Sequence, residues 1–139
     1  MANNPYQQYK NTQVQTANQE KLLLMLYDGA IKFTRSGKKG VEKEDKDLAN
    51  NALNRAQSII SELRATLDSD KGGEIAESLD ALYEYMNYQL VQANIKKEVE
   101  PLEEVLEMLG ELKETWVEAA HNLKNKQQGQ QAGGINIEG

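Results

Sequence analysis

No cysteine occurs in this sequence, which removes disulfides, thiol nucleophiles and thiolate metal sites together. Only two prolines are present and aromatic residues make up 6%, while Leu, Ala, Glu, Lys and Gln, the strong helix formers, dominate. That balance points to an all-α chain. No stretch approaches the ~18 consecutive apolar residues that a membrane span requires. The opening "MANNPYQQY" has neither the charged n-region nor the apolar h-region of a secretory leader. A cytoplasmic protein without direct membrane insertion is expected. Basic charge is also scarce. The formal charge is −6, and residues 74–118 hold 3 bases against 12 acids, a net of −9, whereas residues 1–73 hold 11 bases and 9 acids. The acidic half would repel a phosphate backbone, so nucleic acid is not an expected partner.

A length of 139 residues accommodates one domain with a single core. Residues 1–17 are polar, with Tyr6, Tyr9, Val14 and Ala17 interspersed without helical period, and read as an N-terminal arm. Four periodic segments follow. The first spans about 19–38, with Asn18 as N-cap, Arg35, Lys38 and Lys39 at the negative end of the helix dipole, and Gly40 as a stop signal. The second spans about 46–68, with Leu48, Ala52, Ala56, Ile59, Leu63 and Leu67 in one stripe; Leu53 and Ile60 widen it. The third, about 74–96, repeats the period through Ile75, Leu79, Leu82, Tyr83, Met86, Leu90 and Ala93. The fourth, about 101–124, starts with Pro101, whose missing N–H is no loss in a first turn, and carries Leu102, Val105, Leu106, Leu109, Leu112, Trp116, Ala120 and Leu123. Short connections make neighbouring helices antiparallel, so the expected fold is an up-down four-helix bundle over 18–124. The Gln- and Gly-rich remainder, 125–139, is too poor in apolar groups to offset its ordering entropy and reads as a disordered tail.

Within the first helix, "KLLLMLYDGAIKF" places six apolar residues in succession, Leu22 to Tyr27. Six residues at about 100° each sweep more than one and a half turns, so apolar surface runs all the way round. With Leu23 centring the stripe, Leu26, Tyr27, Ala30, Phe33, Thr34 and Gly37 face inward and Leu22, Leu24 and Ile31 lie on the shoulders. Met25 falls about 160° away, on what ought to be the wet side. Gly29 beside it costs about 1 kcal/mol relative to Ala in mid-helix and suggests a close backbone approach. Isolated exposed apolar residues need no explanation, but Met25, Gly29, Leu24 and Ile31 together describe a surface that something covers. The arm, through Tyr6, Tyr9 and Val14, is one cover. A partner helix in a groove is another. If that face is not the groove, Ile59, Tyr83 and Leu90 along the later helices are the next place to look.

The arm "YQQY", then "VQTANQEKLLLMLYDGAIKF", "AQSIISEL", "GGEIAESLDALYEYMNYQLVQAN" and a Trp near the end of the fourth helix together resemble the FliS family, cytoplasmic chaperones of flagellin in bacterial flagellar export. The resemblance runs from about residue 6 to 124. One departure is Gln19, where members commonly have Pro after the helix cap; Gln fits a first turn, so only the sharpness of the helix start is affected. The resemblance implies a non-enzymatic protein that holds the disordered C-terminal segment of flagellin, which folds on binding. Such binding prevents premature polymerisation and assists delivery to a component of the export gate. It also implies that arm tyrosines, here Tyr6 and Tyr9, cover an apolar pocket.

Two rival classes are weaker. "EAAH", Glu118 to His121, has the Glu-x-x-His spacing of half a di-iron site, but there is no second histidine and Glu118 lies about 180° from the stripe of its helix. The acidic run Glu98, Glu100, Glu103, Glu104 and Glu107 suits a solvated helix start near the positive dipole end and lacks the loop geometry of a cation cage. No nucleophile–base pair, phosphate loop or cofactor fingerprint is present, so no catalytic residue, metal or cofactor is assigned. The other rival is a helical structural or adaptor module that self-associates, for example as a homodimer, through the surplus apolar face. Four interrupted blocks argue against a long coiled coil.

Overall fold

A computed structural model describes the backbone of residues 5–67 and 69–138; the side chains of 1–18, 68–71, 123, 124 and 126–139 lie outside what is described. Four helices follow in order, α1 (Pro5–Glu42), α2 (Lys46–Ala65), α3 (Ser69–Lys96) and α4 (Glu100–Glu138). Each packs on the next, and α1 closes the ring against α4. The pairings fix the directions. Residues 29, 37 and 40 of α1 meet 59, 53 and 49 of α2, and Asp28 and Lys38 pair with Lys113 and Glu103 of α4. Ser61 and Asn50 of α2 meet Asn87 and Lys97 at the end of α3. In each pair one number rises as the other falls, so neighbours are antiparallel and the all-α, up-down four-helix bundle is observed.

The core is the inward stripe of each helix: Tyr27 and Ala30 from α1, Leu53, Ala56, Ile60 and Leu63 from α2, Tyr83, Met86, Leu90 and Ala93 from α3, and Leu102, Val105 and Leu109 from α4. One polar network sits among them. The hydroxyls of Tyr27 and Tyr83 share a hydrogen bond across the diagonal of the bundle, and Trp116 Nε1 donates to Tyr27 Oη at 3.0 Å. The two phenol rings lie 6.5 Å apart at 50°, within the range of favourable tilted aromatic pairs. Three helices are thereby tied at one height. Burial pushes both phenol pKa values up, and Tyr83 is raised further because its proton is held by Tyr27; the bonds from Tyr83 and Trp116 offset part of the shift at Tyr27.

Several boundaries differ from those that periodicity suggests. Residues 5–17, read as an arm, have helical backbone continuous with α1, and Asn18 is a mid-helix residue and no N-cap. Once the packed part of a helix has nucleated, each added turn of Gln, Asn, Ala or Lys propagates at little cost. The backbone of α4 likewise runs on through the residues read as a disordered tail, as far as Glu138. Gly40 does not stop α1. A Cβ there would stand 2.6 Å from the Ala49 amide nitrogen, so its role is close packing of α1 on α2. The chain turns instead at Glu44, left-handed at φ 57°, with Asp45 N–H bonded to Gly40 C=O and Glu44 N–H to Val41 C=O, a Schellman closure. Asp45 then caps α2, accepting from Leu48 N–H at 3.1 Å. In α3, Gly73 breaks the helix at φ 54°, ψ −132°, a conformation open to glycine alone.

Two expectations follow. On propensity, Gly40→Ala would stabilise by about 1 kcal/mol, but overpacking against Ala49 outweighs this, and a net loss of about 1–3 kcal/mol is expected in urea unfolding. Tyr83→Phe removes one neutral hydrogen bond and is expected to cost about 1 kcal/mol. The wild-type pair, with folded pKa values raised above the ordinary 10.0, contributes its full stability below that pH. It loses stability as pH rises past it, because the unfolded phenols then release protons that the folded ones retain. Unfolding curves below and above pH ~10 are expected to show a smaller loss in Tyr83→Phe than in the wild type.

Candidate functional site

An apolar pocket of about 720 Å³ opens at the end of the bundle where α2 passes to α3. α2 has ended at Ala65 and α3 is regular only beyond Gly73, so the inward stripes of α1 and α4 continue past the point where two of their partners stop. Leu22 and Leu23 of α1 form one wall, and Leu67, Ile75, Ala76 and Leu79 form the other. Tyr83 and Trp116 make the floor. A smaller recess of about 170 Å³ lies beside it, between Leu23 and Leu24 of α1 and Ala119 and Ala120 of α4, with Trp116 again on its wall. Leu22 is 52% and Ile75 73% exposed at the rim.

The polar groups of the floor are already engaged. Trp116 donates to Tyr27, whose hydroxyl shares a further hydrogen bond with that of Tyr83, and at the lip Thr66 Oγ1 donates to Leu63 C=O at 2.6 Å. What remains on offer is hydrocarbon and ring surface, with Gln19 and Glu20 at the mouth. A site of this kind takes apolar side chains or an amphipathic helix. Among the described residues its lining pairs no nucleophile with a base, and no cluster of His, Asp or Glu has the arrangement of a metal site. No helix among the described residues is long and apolar enough to cross a membrane.

The residues singled out from the sequence divide into several groups. Leu24 lines the smaller recess, and Met25 is 60% exposed, next to Leu22 on the helical surface. Gly29 is a point of close approach, but the approaching atom belongs to the chain itself: a Cβ there would be 3.1 Å from Ile59 Cδ1. Ile31 and Ile59 are half-buried against the core. Tyr83 is the pocket floor, whereas Leu90 is fully buried and offers no surface. Tyr6, Tyr9 and Val14 lie on helical backbone of α1, their side chains outside the described residues. The periods assign Ile75, Leu79 and Trp116 to core stripes, yet all three line the pocket. The Gly72–Gly73 pair is the readable signal, because inward residues close to such a break lack a helix opposite them.

Known proteins resemble the chain along this whole arrangement. The family model for the flagellar protein FliS matches residues 2–123. The flagellar secretion chaperone FliS of Bacillus subtilis is 38% identical over 132 residues, covering 95% of this chain and 96% of the relative. The chaperone of the same name from Vibrio cholerae is 34% identical over 116 residues, 81% of this chain and 85% of its own. That of Salmonella typhimurium is 38% identical over 104 residues, 74% and 77%. The matched span takes in both walls and the floor of the end pocket, and the chain belongs to the FliS family of flagellar secretion chaperones.

Proposed function

We propose that this protein is a cytoplasmic, non-enzymatic export chaperone whose client is the C-terminal segment of flagellin. In this reading the segment is disordered when free and folds into helix on the bundle. Its capture prevents premature filament polymerisation and helps present the subunit to the flagellar export gate. The observation that carries the reading is the open apolar pocket above Trp116, in a chain whose relatives are named flagellar secretion chaperones. The client's apolar side chains enter between Leu22 and Ile75, and the contact extends over Leu24, Met25 and Ile31. Before the client arrives, the N-terminal residues with Tyr6, Tyr9 and Val14, whose backbone here continues α1, fold back to occupy part of this surface. Ile59 lies at its edge behind Gly29.

Calorimetric titration of a flagellin C-terminal peptide into the full chain is expected to give saturable binding with a large negative heat-capacity change and a gain of helix by circular dichroism. Trp116, the chain's single tryptophan, is expected to change its fluorescence on binding. Ile75→Glu and Met25→Glu alter exposed side chains and are expected to leave thermal stability within about 0.5 kcal/mol of wild type, with Ile75→Glu weakening the peptide by about tenfold. No measurable binding to the wild type, or binding that ignores both variants and leaves Trp116 emission unchanged, would contradict the proposal.

A further inference from the structure

The outer face of α3 carries an apolar ridge that stays exposed among the described residues and is broken by Glu84 and Gln92. Ala81, Tyr85, Tyr88, Val91 and Ile95 follow one another at intervals of four, three, three and four residues and lie within about 60° of Tyr88 on the helical wheel. Tyr85 is 42%, Tyr88 58% and Ile95 70% exposed. This ridge is two heptads long, the spacing of a helix-on-helix seam, and it runs along the side of the bundle, away from the end pocket. None of the pocket-lining residues belongs to it.

Its borders are acidic. On α4, Glu100, Glu104, Glu107, Glu111, Glu114 and Glu118 share one exposed face at intervals of three and four, within about 40° of Glu100. That face stands beside α3, since Glu104 accepts hydrogen bonds from Tyr85 Oη and from Gln89 Nε2. On the α2 side, Asp80 borders the ridge and Glu84 lies within it, about 40° from Tyr88, both paired with Arg64. Among the described residues along these borders, the remaining bases are Lys96 and Lys97, at the far end of α3. A helix laid on the ridge would place one flank against the carboxylate row of α4 and the other against the Arg64–Asp80–Glu84 group.

We propose that the α3 ridge and the acidic row of α4 form a second docking surface, which takes an amphipathic helix of a partner protein whose apolar stripe is flanked by lysine or arginine. The apolar seam supplies contact area, with tyrosines as anchors. The flanking charges select the partner, because an acidic-flanked helix would set like charges opposite one another. A second copy of this chain fits less well, since the ridge of that copy carries the same acidic borders.

The test uses two synthetic helical peptides of about five turns, identical in a Leu/Ile face and differing only in Lys/Arg or Glu flanks, titrated into the full chain. The basic-flanked peptide is expected to bind, to shift backbone amide resonances of residues 81–95 and the outer face of α4, and to weaken several-fold as salt is raised. Tyr88→Glu is expected to reduce its affinity about tenfold. Glu107→Lys combined with Glu111→Lys, neither in the core, is expected to shift the preference toward the acidic-flanked peptide. Ile75→Glu at the end pocket is expected to leave this binding unchanged, which separates it from the flagellin reading above. Equal binding of the two peptides, resonance shifts at the end pocket instead of α3, or a concentration-dependent dimer abolished by Tyr88→Glu would overturn the proposal. So would a flagellin C-terminal peptide that covers α3 with no dependence on flanking charge.

Discussion

The hydrogen bonds joining Tyr27, Tyr83 and Trp116 set the layout of the whole bundle. A phenol or indole buried without a partner costs several times what a satisfied one contributes, so these side chains hold α1, α3 and α4 at one mutual height. α2 is held differently, through the glycines of α1: Gly37 leaves room for Leu53 and Gly40 for the backbone of Ala49. On one side of the aromatic layer the core is closed by Met86, Leu90, Leu102 and Leu109. On the other side α2 ends and the pocket begins. Because the layer's polar groups are hydrogen-bonded to one another, its upper surface is a floor of rings that attracts hydrocarbon.

That arrangement suits reversible capture. A disordered segment that folds on the bundle must give up conformational entropy, which offsets much of the gain from burying its apolar residues. A rigid floor with half-exposed walls adds little ordering cost on the chaperone's side. Charge adds a second discrimination: the acids lie mainly on α3 and α4, while α1 and α2 carry most of the bases, so the two sides of the bundle present different fields to an approaching chain.

Much of the fold is legible in the sequence because four apolar periods of about 20 residues, separated by short polar breaks, admit few packings. Leu53, Leu63, Met86 and Leu109 are buried as their spacing implies. The glycines carry a more ambiguous signal. Gly29 signals a close approach, and periodicity cannot say that the approaching group is Ile59 of the same chain. Gly40 carries a helix-stop signal, but the proximity of Ala49 is a tertiary fact that overrides it. The run from Leu22 to Tyr27 points to surplus apolar surface near the start of the bundle, and Leu22, Leu23 and Leu24 do line its two recesses. Ile75 and Trp116 look like core residues in one dimension. They line the pocket because α2 is shorter than the helices beside it, and relative helix length emerges only when the bundle is assembled. Tyr88 and Ile95 escape notice for a related reason, since an apolar residue off the main stripe is ordinary until its neighbours are seen to form a ridge.

Amide hydrogen exchange of the full chain with and without a flagellin C-terminal peptide tests most directly whether the pocket above Trp116 is the client's seat. Protection is expected in the first packed turns of α1 around Leu22 and Leu23, in α3 from Gly72 to Leu79, and in α4 around Trp116. The turns at Glu44 and Lys97, at the opposite end of the bundle, are expected to exchange as before. Protection confined to that opposite end, with exchange around Leu22, Ile75 and Trp116 unaltered at saturating peptide, would contradict the account.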